Sequence, residues 1–415
     1  MTRALTDGKR DVVDIADLGA VRRASGKDAA GPRARASTAS SSHEALAPLA
    51  AIPIDSWRAL SERTIEPNGY YLPDWALAVN ASAPGRTHAS ALCAWSGSPA
   101  GLIGLLPVVP LWRAFKIPLP ALVSAHPYGT LSTPLIDRDR AGDATRSLMQ
   151  AARQAGARAV LLREVSLEGA AMRAIVECLA QDGLRPHVLQ SHRRACLDAT
   201  RDADELLRDA LGGKKLKELR RQRHRLAEHG AISFSVARSR EGIASAIETF
   251  LKLEASGWKG RRGTALAQVE GDAAFIRRAS VALSDTGQCE ILTLASGETP
   301  VAAGIVLRHG NRAFFFKLGV DERFAKFSPG VQLTLELTRH LCADPAITSA
   351  DSTAGPDHPM INPIWRGRLA IGDVLIPLRR HDPMVALIHA ALILRQTLLD
   401  LARRGVHVLR DRQRR

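Results

Sequence analysis

The sequence predicts an α/β (α+β) protein built as two lobes, each a mixed central sheet flanked by helices. Three observations carry this. The chain is 415 residues long and 46% hydrophobic, enough for two domains that each bury a core. The order helix, hairpin, strand, helix, strand, helix, strand occurs twice, although residue identity between the two halves is poor. Residues 313–342 show the strand–loop–helix unit of such folds most plainly.

The elements follow in order. Residues 1–50 are rich in Ala, Ser, Arg and Asp, with "ASTASSS" at 36–42, and read as a disordered tail. The first lobe, 51–200, opens with "IPIDSWRALSERT", where Asp55 or Ser56 caps a helix carrying Trp57 and Leu60, and a second helix covers 72–80. "SALCAWS" and "GLIGLLPVVPLW" form a hairpin across "GSPA". "HPYGTLSTPLID" is turn-rich and precedes a helix at 142–156. "AVLLREVS" is a buried strand, "EGAAMRAIVECLAQDG" a helix closed by Gly183, and "HVLQSHRRACLD" a further strand.

A basic connector, 201–231, carries seven Lys or Arg and one acid between Lys214 and Arg225, with Leu216, Leu219 and Leu226 as a narrow apolar seam. The second lobe, 232–380, repeats the pattern. It has a strand "AISFSVARS", helices "EGIASAIETFLKLEASG" and "GDAAFIRRASVALSDTG", and a hairpin turning at Ser296–Thr299. The strand–loop–helix unit follows, then a strand "ITSADST", a short helix "HPMINPIW" and a strand "DVLIPL". Residues 381–415 form an amphipathic helix with a basic end. It is read either as a packing helix with a solvated tail or as a surface helix against anionic lipid.

The formal charge of +15 and pI near 10.3 suit an anionic partner: nucleic acid, a membrane surface or a phosphorylated substrate. The five cysteines are scattered in apolar runs without C-x-x-C, so a zinc site and a disulfide frame are both disfavoured. "MTRALTDGKRDVVD" lacks the apolar core of a secretory signal, and the longest apolar run, "MVALIHAALIL", is 11 residues. The expected location is therefore cytoplasmic, with peripheral attachment to the inner membrane as the alternative. G-x-x-x-x-G-K-[ST], a strand-following G-x-G-x-x-G, H-E-x-x-H and G-x-S-x-G are all absent, which disfavours NTPase, kinase, hydrolase and metalloenzyme chemistry. His187 and His192 read as surface histidines.

The strand–loop–helix unit poses a sharper question. Ser328 suits the N-cap and Pro329 the first helical position, and Gly330 has no side chain. Val331, Leu333, Leu335, Leu337 and Leu341 make a wide apolar stripe. The free N–H groups of this helix start face Arg323 and Lys326 across the loop. That is either an ordinary capped helix behind a solvated loop or a place where a phosphate comes close.

The hairpin, "AFFFKLGVD" and "FSPGVQL" together resemble the core of the GNAT acyltransferase fold. "FLKLEASGWKGRRGTAL" (250–266), "SPG" (328–330) and "DSTAGPDHPMINPIW" (351–365) look like its BioF2-like branch, which includes proteins labelled CelD in cellulose and exopolysaccharide loci. The chain also resembles the tandem-GNAT FemABX transferases, and the likeness spans about residues 55–380.

The resemblance implies two tandem GNAT-like lobes and N-acyl transfer from acetyl-CoA, as co-substrate, to an amine of a small molecule or sugar. It places the CoA pyrophosphate on Ser328, Pro329, Gly330, Val331 and Gln332 with Lys326, and the thioester along Lys317 to Gly319. His358, Asn362 and Trp365 fall at i, i+4 and i+7 of the expected short helix, with Asp351 at the end of the preceding strand. His358, Asp351 and Lys317 are the catalytic candidates, His358 as base. Trp258, Lys259, Asn362 and Trp365 line the substrate, and no metal is expected. The loop "RFAKFSPGVQL" has one glycine where the usual GNAT phosphate loop, Q/R-x-x-G-x-G/A, has a second small residue. An aminoacyl-tRNA donor, which FemABX proteins use on this scaffold, is thus the alternative, with the 214–225 helix suited to RNA; no DNA partner is expected. A reading from another class is a non-catalytic binder of RNA or anionic membrane.

Overall fold

A computed structural model describes residues 46–97 and 101–413. The expected tail at 1–45 lies outside the described residues. Its last part is ordered after all: Leu46–Pro48 is strand β1, and Leu49–Ala51 is a 3-10 turn whose Leu49 is buried. The first half continues with helices α1 (Ile54–Glu62) and α2 (Pro73–Ser82), the hairpin β2 (Ser90–Ser96) and β3 (Gly101–Pro110), and the short helix α3 (Leu111–Phe115). Next come β4 (Ala121–Ser124), β5 (Leu135–Ile136), α4 (Ala141–Gln154), β6 (Ala159–Ser166), α5 (Ala170–Gln181) and β7 (His187–Asp198). The connector is a single helix α6 (Ala203–Ala227), kinked where Gly212 takes φ 69° and ψ 162°. Only glycine takes that backbone without strain.

The second half runs β8 (Ile232–Ala237), α7 (Arg240–Ser256), α8 (Trp258–Arg261), α9 (Glu270–Ser284), β9 (Cys289–Ser296), β10 (Thr299–His309) and β11 (Arg312–Val320). It ends with α10 (Pro329–Cys342), β12 (Ser349–Asp351), β13 (Gly367–Pro377) and α11 (Pro383–Gln413).

The sheets of the two halves join into one of thirteen strands, ordered β1-β2-β3-β4-β6-β13-β7-β12-β11-β10-β9-β8, with β5 against β3. Two pairs, β4 with β6 and β11 with β12, are parallel and the rest antiparallel. The halves trade strands at the join. β13 enters the first half between β6 and β7, and β7 pairs onward with β12 of the second. Packing is interlocked as well. Tyr70 and Trp75 of the first half sit in the apolar cluster of α7, α9 and β9–β11. The Trp75 ring meets Phe275 and Phe316 edge-on at 5.0 and 4.9 Å.

Helices α7 and α9 cover one face of the second half's sheet through Phe250, Ile276 and Phe314, while α6 and α10 cover the other through Leu219, Leu333 and Phe315. All five cysteines are free thiols, as the sequence predicts. One expectation fails: "HPMINPIW" is a run of turns. Its helical bonds, such as the Asn362 amide to the His358 carbonyl, are single and do not propagate.

Candidate active site

β11 positions the site. It pairs with β10 along its whole length but with β12 over Arg312–Phe314 only, so Phe315–Val320 has no strand on its β12 side. A bulge interrupts the β10 register: Ile305 opposes Lys317 and Val306 opposes Phe315. Phe316 is the extra residue. In a regular strand of this sequence, without the bulge, alternation would turn Lys317 toward α10 with Phe315 and turn Leu318 toward α7. With it, Phe316 and Lys317 share the α7 face, and Phe316 reaches the Tyr70–Trp75 cluster.

There Lys317 meets a residue that sequence reasoning missed. Glu254, near the end of α7, is only 3% exposed. Its Oε1 accepts from Lys259 Nζ at 3.0 Å and from Lys317 Nζ at 3.5 Å, and its Oε2 accepts from the Leu266 amide at 3.0 Å. Burial opposes its charge, but Lys317 and Lys259 outweigh that and hold the carboxyl below its usual range. The two lysines and one carboxylate leave a net positive charge, and both lysine side chains still reach solvent. The available signal was the acid inside the apolar run "FLKLEASG", with no aqueous face to justify it.

The loop 352–366 crosses the gap between β11 and β12. Two of its residues, Thr353 (φ 51°) and Asp357 (φ 55°), adopt the left-handed backbone, which is strained for β-branched Thr353. Thr353 Oγ1 donates to the Phe315 carbonyl at 2.6 Å, tying the loop to the unpaired stretch of β11. Farther along, Asp357, His358, Pro359, Asn362, Pro363, Arg366 and Arg368 line an open depression of about 390 Å³. His358 Nδ1 accepts from the Met360 and Ile361 amides at 3.3 and 3.4 Å. Burial, and the charge of nearby Lys259, lower its pKa. A neutral imidazole accepting at Nδ1 carries its proton on Nε2 and so presents a donor. The lysine pair and the depression are thus neighbours.

Several expected site residues lie elsewhere. Asp351 is sealed: it is 1% exposed and ion-paired with Arg194, itself fully buried, and its Oδ1 accepts from the Thr353 amide. Trp365 is core, 0% exposed, and donates to Thr338 Oγ1 at 2.9 Å. The turns of 357–365 replace the expected helix, so it does not share a face with His358 and Asn362. Trp258 starts α8, beside Lys259.

At the start of α10, Ser328 takes φ 53° and makes no capping bond through its side chain. Pro329 and Gly330 are buried, and a Cβ on Gly330 would meet Leu318, Val320 and Met360 at 2.9–3.3 Å. Gln332 Nε2 donates to the Leu219 carbonyl of α6 at 2.9 Å, and the Lys326 ammonium lies 4.7 Å from the Phe327 ring centre. At the helix start, where the resemblance places the phosphate cradle, Leu318, Val320 and Met360 thus crowd the Cβ side of Gly330. Among the described residues no cluster suits a metal ion.

Residues 213–358 match the family model "Acetyltransferase (GNAT) domain". That stretch of the chain is similar to a GNAT acetyltransferase domain. The matched stretch begins at the kink of α6 and ends at His358, so it contains Glu254, Lys259, Lys317 and the start of α10. None of the curated proteins compared matches this chain in sequence. Solved structures share its fold. "Crystal structure of FemX" aligns at TM-score 0.52 with 13% identity, covering 81% of this chain and 98% of that one. The C-terminal domain of a protein described as a lysylphosphatidylglycerol synthetase, from Agrobacterium fabrum, aligns at 0.50 with 15% identity, covering 82% and 95%. A conserved protein of unknown function from Bacteroides thetaiotaomicron aligns at 0.50 with 12% identity, covering 79% and 98%.

Proposed function

We propose that the acyltransferase moves an acyl group, acetyl first among them, from acyl-CoA to the primary amine of a small molecule or sugar. An envelope or exopolysaccharide precursor is the acceptor that the BioF2-like resemblance implies. The observation that carries this is the bulge at Phe316. It turns Lys317 toward Glu254 on the stretch of β11 that has no strand on its β12 side.

The amine attacks the thioester carbonyl along that stretch. The carbon–nitrogen bond forms, the carbon–sulfur bond breaks, and CoA leaves as the thiol with the proton that the amine gives up. Lys317, oriented by Glu254, faces the developing oxyanion, where a preorganised cation is worth most. Arg366, Arg368 and the Nε2–H of His358 take the donor's phosphates in the open depression. Lys259 links the two places, since it bonds Glu254 and its charge is felt at His358. Asn362 lines the depression as a polar wall.

The test is a thermal-shift and turnover screen with acetyl-CoA and longer acyl-CoAs against a panel of amines. Free thiol is read as product, together with the mass of the acylated amine. Stabilisation by an acyl-CoA, with thiol release, is expected. No shift and no release with any donor overturns the reading.

An aminoacyl-tRNA donor is the second reading, and one observation favours it. Lys214, Lys217, Arg220, Arg221 and Arg225 lie exposed along α6 and form no ion pair with another described residue. Steeply salt-dependent binding of aminoacyl-tRNA, without any response to acyl-CoA, would select it.

A further inference from the structure

We propose that α3 and α11 together form a docking surface for an anionic lipid bilayer, with α11 lying in the plane of the headgroups. Helix α11 is apolar on two sides. One side is used: Val385, Ile388 and Leu392 are buried, and Ile388 and Leu392 join Leu111, Leu161 and Leu375 at the sheet. The other is bare. Leu387, Leu394, Leu398 and Leu401 recur at helical spacing and are 51–59% exposed. Ile393 flanks them at 40%, so α11 holds five of the nine large apolar side chains exposed among the described residues. A solvated helix face is ordinarily polar, and a bare stripe of this length marks a contact.

The surroundings say which contact. Leu111 of α3 sits in the same cluster as Ile388 and Leu392, and the Arg395 guanidinium lies 4.0 Å from the centre of the Phe115 ring. This brings Trp112, 55% exposed, alongside α11 together with Arg113 and Lys116. The Lys116 ammonium is 5.7 Å from the Trp112 ring centre. Beyond Ala402 the sequence adds six arginines and one acid. An apolar stripe, an exposed tryptophan and a basic rim are the three components of an interfacial helix on anionic lipid.

By length and composition Pro383–Ala402 also suffices to cross a membrane, with mean hydropathy 1.5, although its longest unbroken apolar run is short. Crossing would strip Ile388 and Leu392 from the sheet cluster and carry Arg395, Gln396 and Asp400 into hydrocarbon. Lying flat keeps the packed side and wets the polar one. It also holds the acyltransferase at a surface where amine headgroups or lipid-linked sugars would be presented.

Vesicle flotation of the full chain tests this, using phosphatidylcholine alone and with about one third phosphatidylglycerol. Binding is expected at least about tenfold stronger with the anionic lipid, and released by high salt. The Leu394→Asp/Leu398→Asp variant is expected to lose it while keeping its melting temperature, because both positions are exposed. Trp112→Phe should remove a lipid-induced blue shift in tryptophan emission. Three results overturn the proposal: equal binding to both vesicles, retention that only detergent releases, and a dimer in solution dispersed by Leu394→Asp/Leu398→Asp with no flotation. A failed acyl-CoA screen leaves these readouts untouched.

Discussion

Two buried carboxylates in the second half face cations in opposite ways. Asp351 and Arg194 are both sealed, 1% and 0% exposed. Glu254 is as deeply buried, but its two lysines reach it from a side that touches solvent. Both acids stand close to β11, one as the last residue of β12 and one across from the bulge. The difference teaches that burial of an acid does not mark a catalytic site. A pair closed on both sides fixes the join of β12, β7 and the 352–366 loop, whereas a carboxylate that leaves its cations half-exposed orients charge toward a ligand.

Breaking the sealed pair should have the largest effect. Asp351→Ala leaves the Arg194 guanidinium buried without its partner and is expected to cost about 3–5 kcal/mol in urea unfolding. A cost below about 1 kcal/mol would show that the pair is not structural.

The open site should behave in reverse. Lys317→Met is expected to lower kcat by about a hundredfold or more and to cost less stability than Asp351→Ala, because Lys259 still pairs with Glu254. An equal loss of stability and activity would return Lys317 to the structural class. Arg366→Ala should raise KM for the acyl-CoA about tenfold and leave kcat alone, the signature of binding shared by ground and transition state.

pH sharpens the comparison most gently. Glu254 is held below the ordinary carboxylate range, so its contribution is complete above that range and is lost as pH falls through its folded value. Glu254→Gln should flatten the fall of stability in acid. Glu290 supplies a control away from the site. Despite burial, bonds from His340, Arg238 and Arg308 hold it at about 2. Its share of stability should fade between the ordinary carboxylate range and about pH 2, with no effect on turnover.

Crowding at Gly330 also changes how a tempting variant reads. Gly330→Glu looks like a clean probe of phosphate binding, but Leu318 stands 2.9 Å from where its Cβ would go. It tests packing as much as ligand.

By itself the sequence determined whatever depends on local chemistry. Periodicity marked the helices and strands, Pro329 and the leucine stripe fixed α10, and the double pattern with its GNAT-like motifs announced an α/β transferase. Those signals lie within a few residues of each other, where alternation, helical spacing and backbone preference are decisive.

Only the tertiary structure decided the rest. Lys317 and Glu254 are 63 positions apart, and whether they meet depends on one extra residue in β11. Asp351 and Arg194 are separated by 157 and meet because the halves trade strands. Trp365 went to the core when 357–365 became turns, and the leucine face of α11 stayed bare because its opposite side took the sheet. Contacts across such distances are set by sheet order and packing, and no periodicity along the chain encodes them.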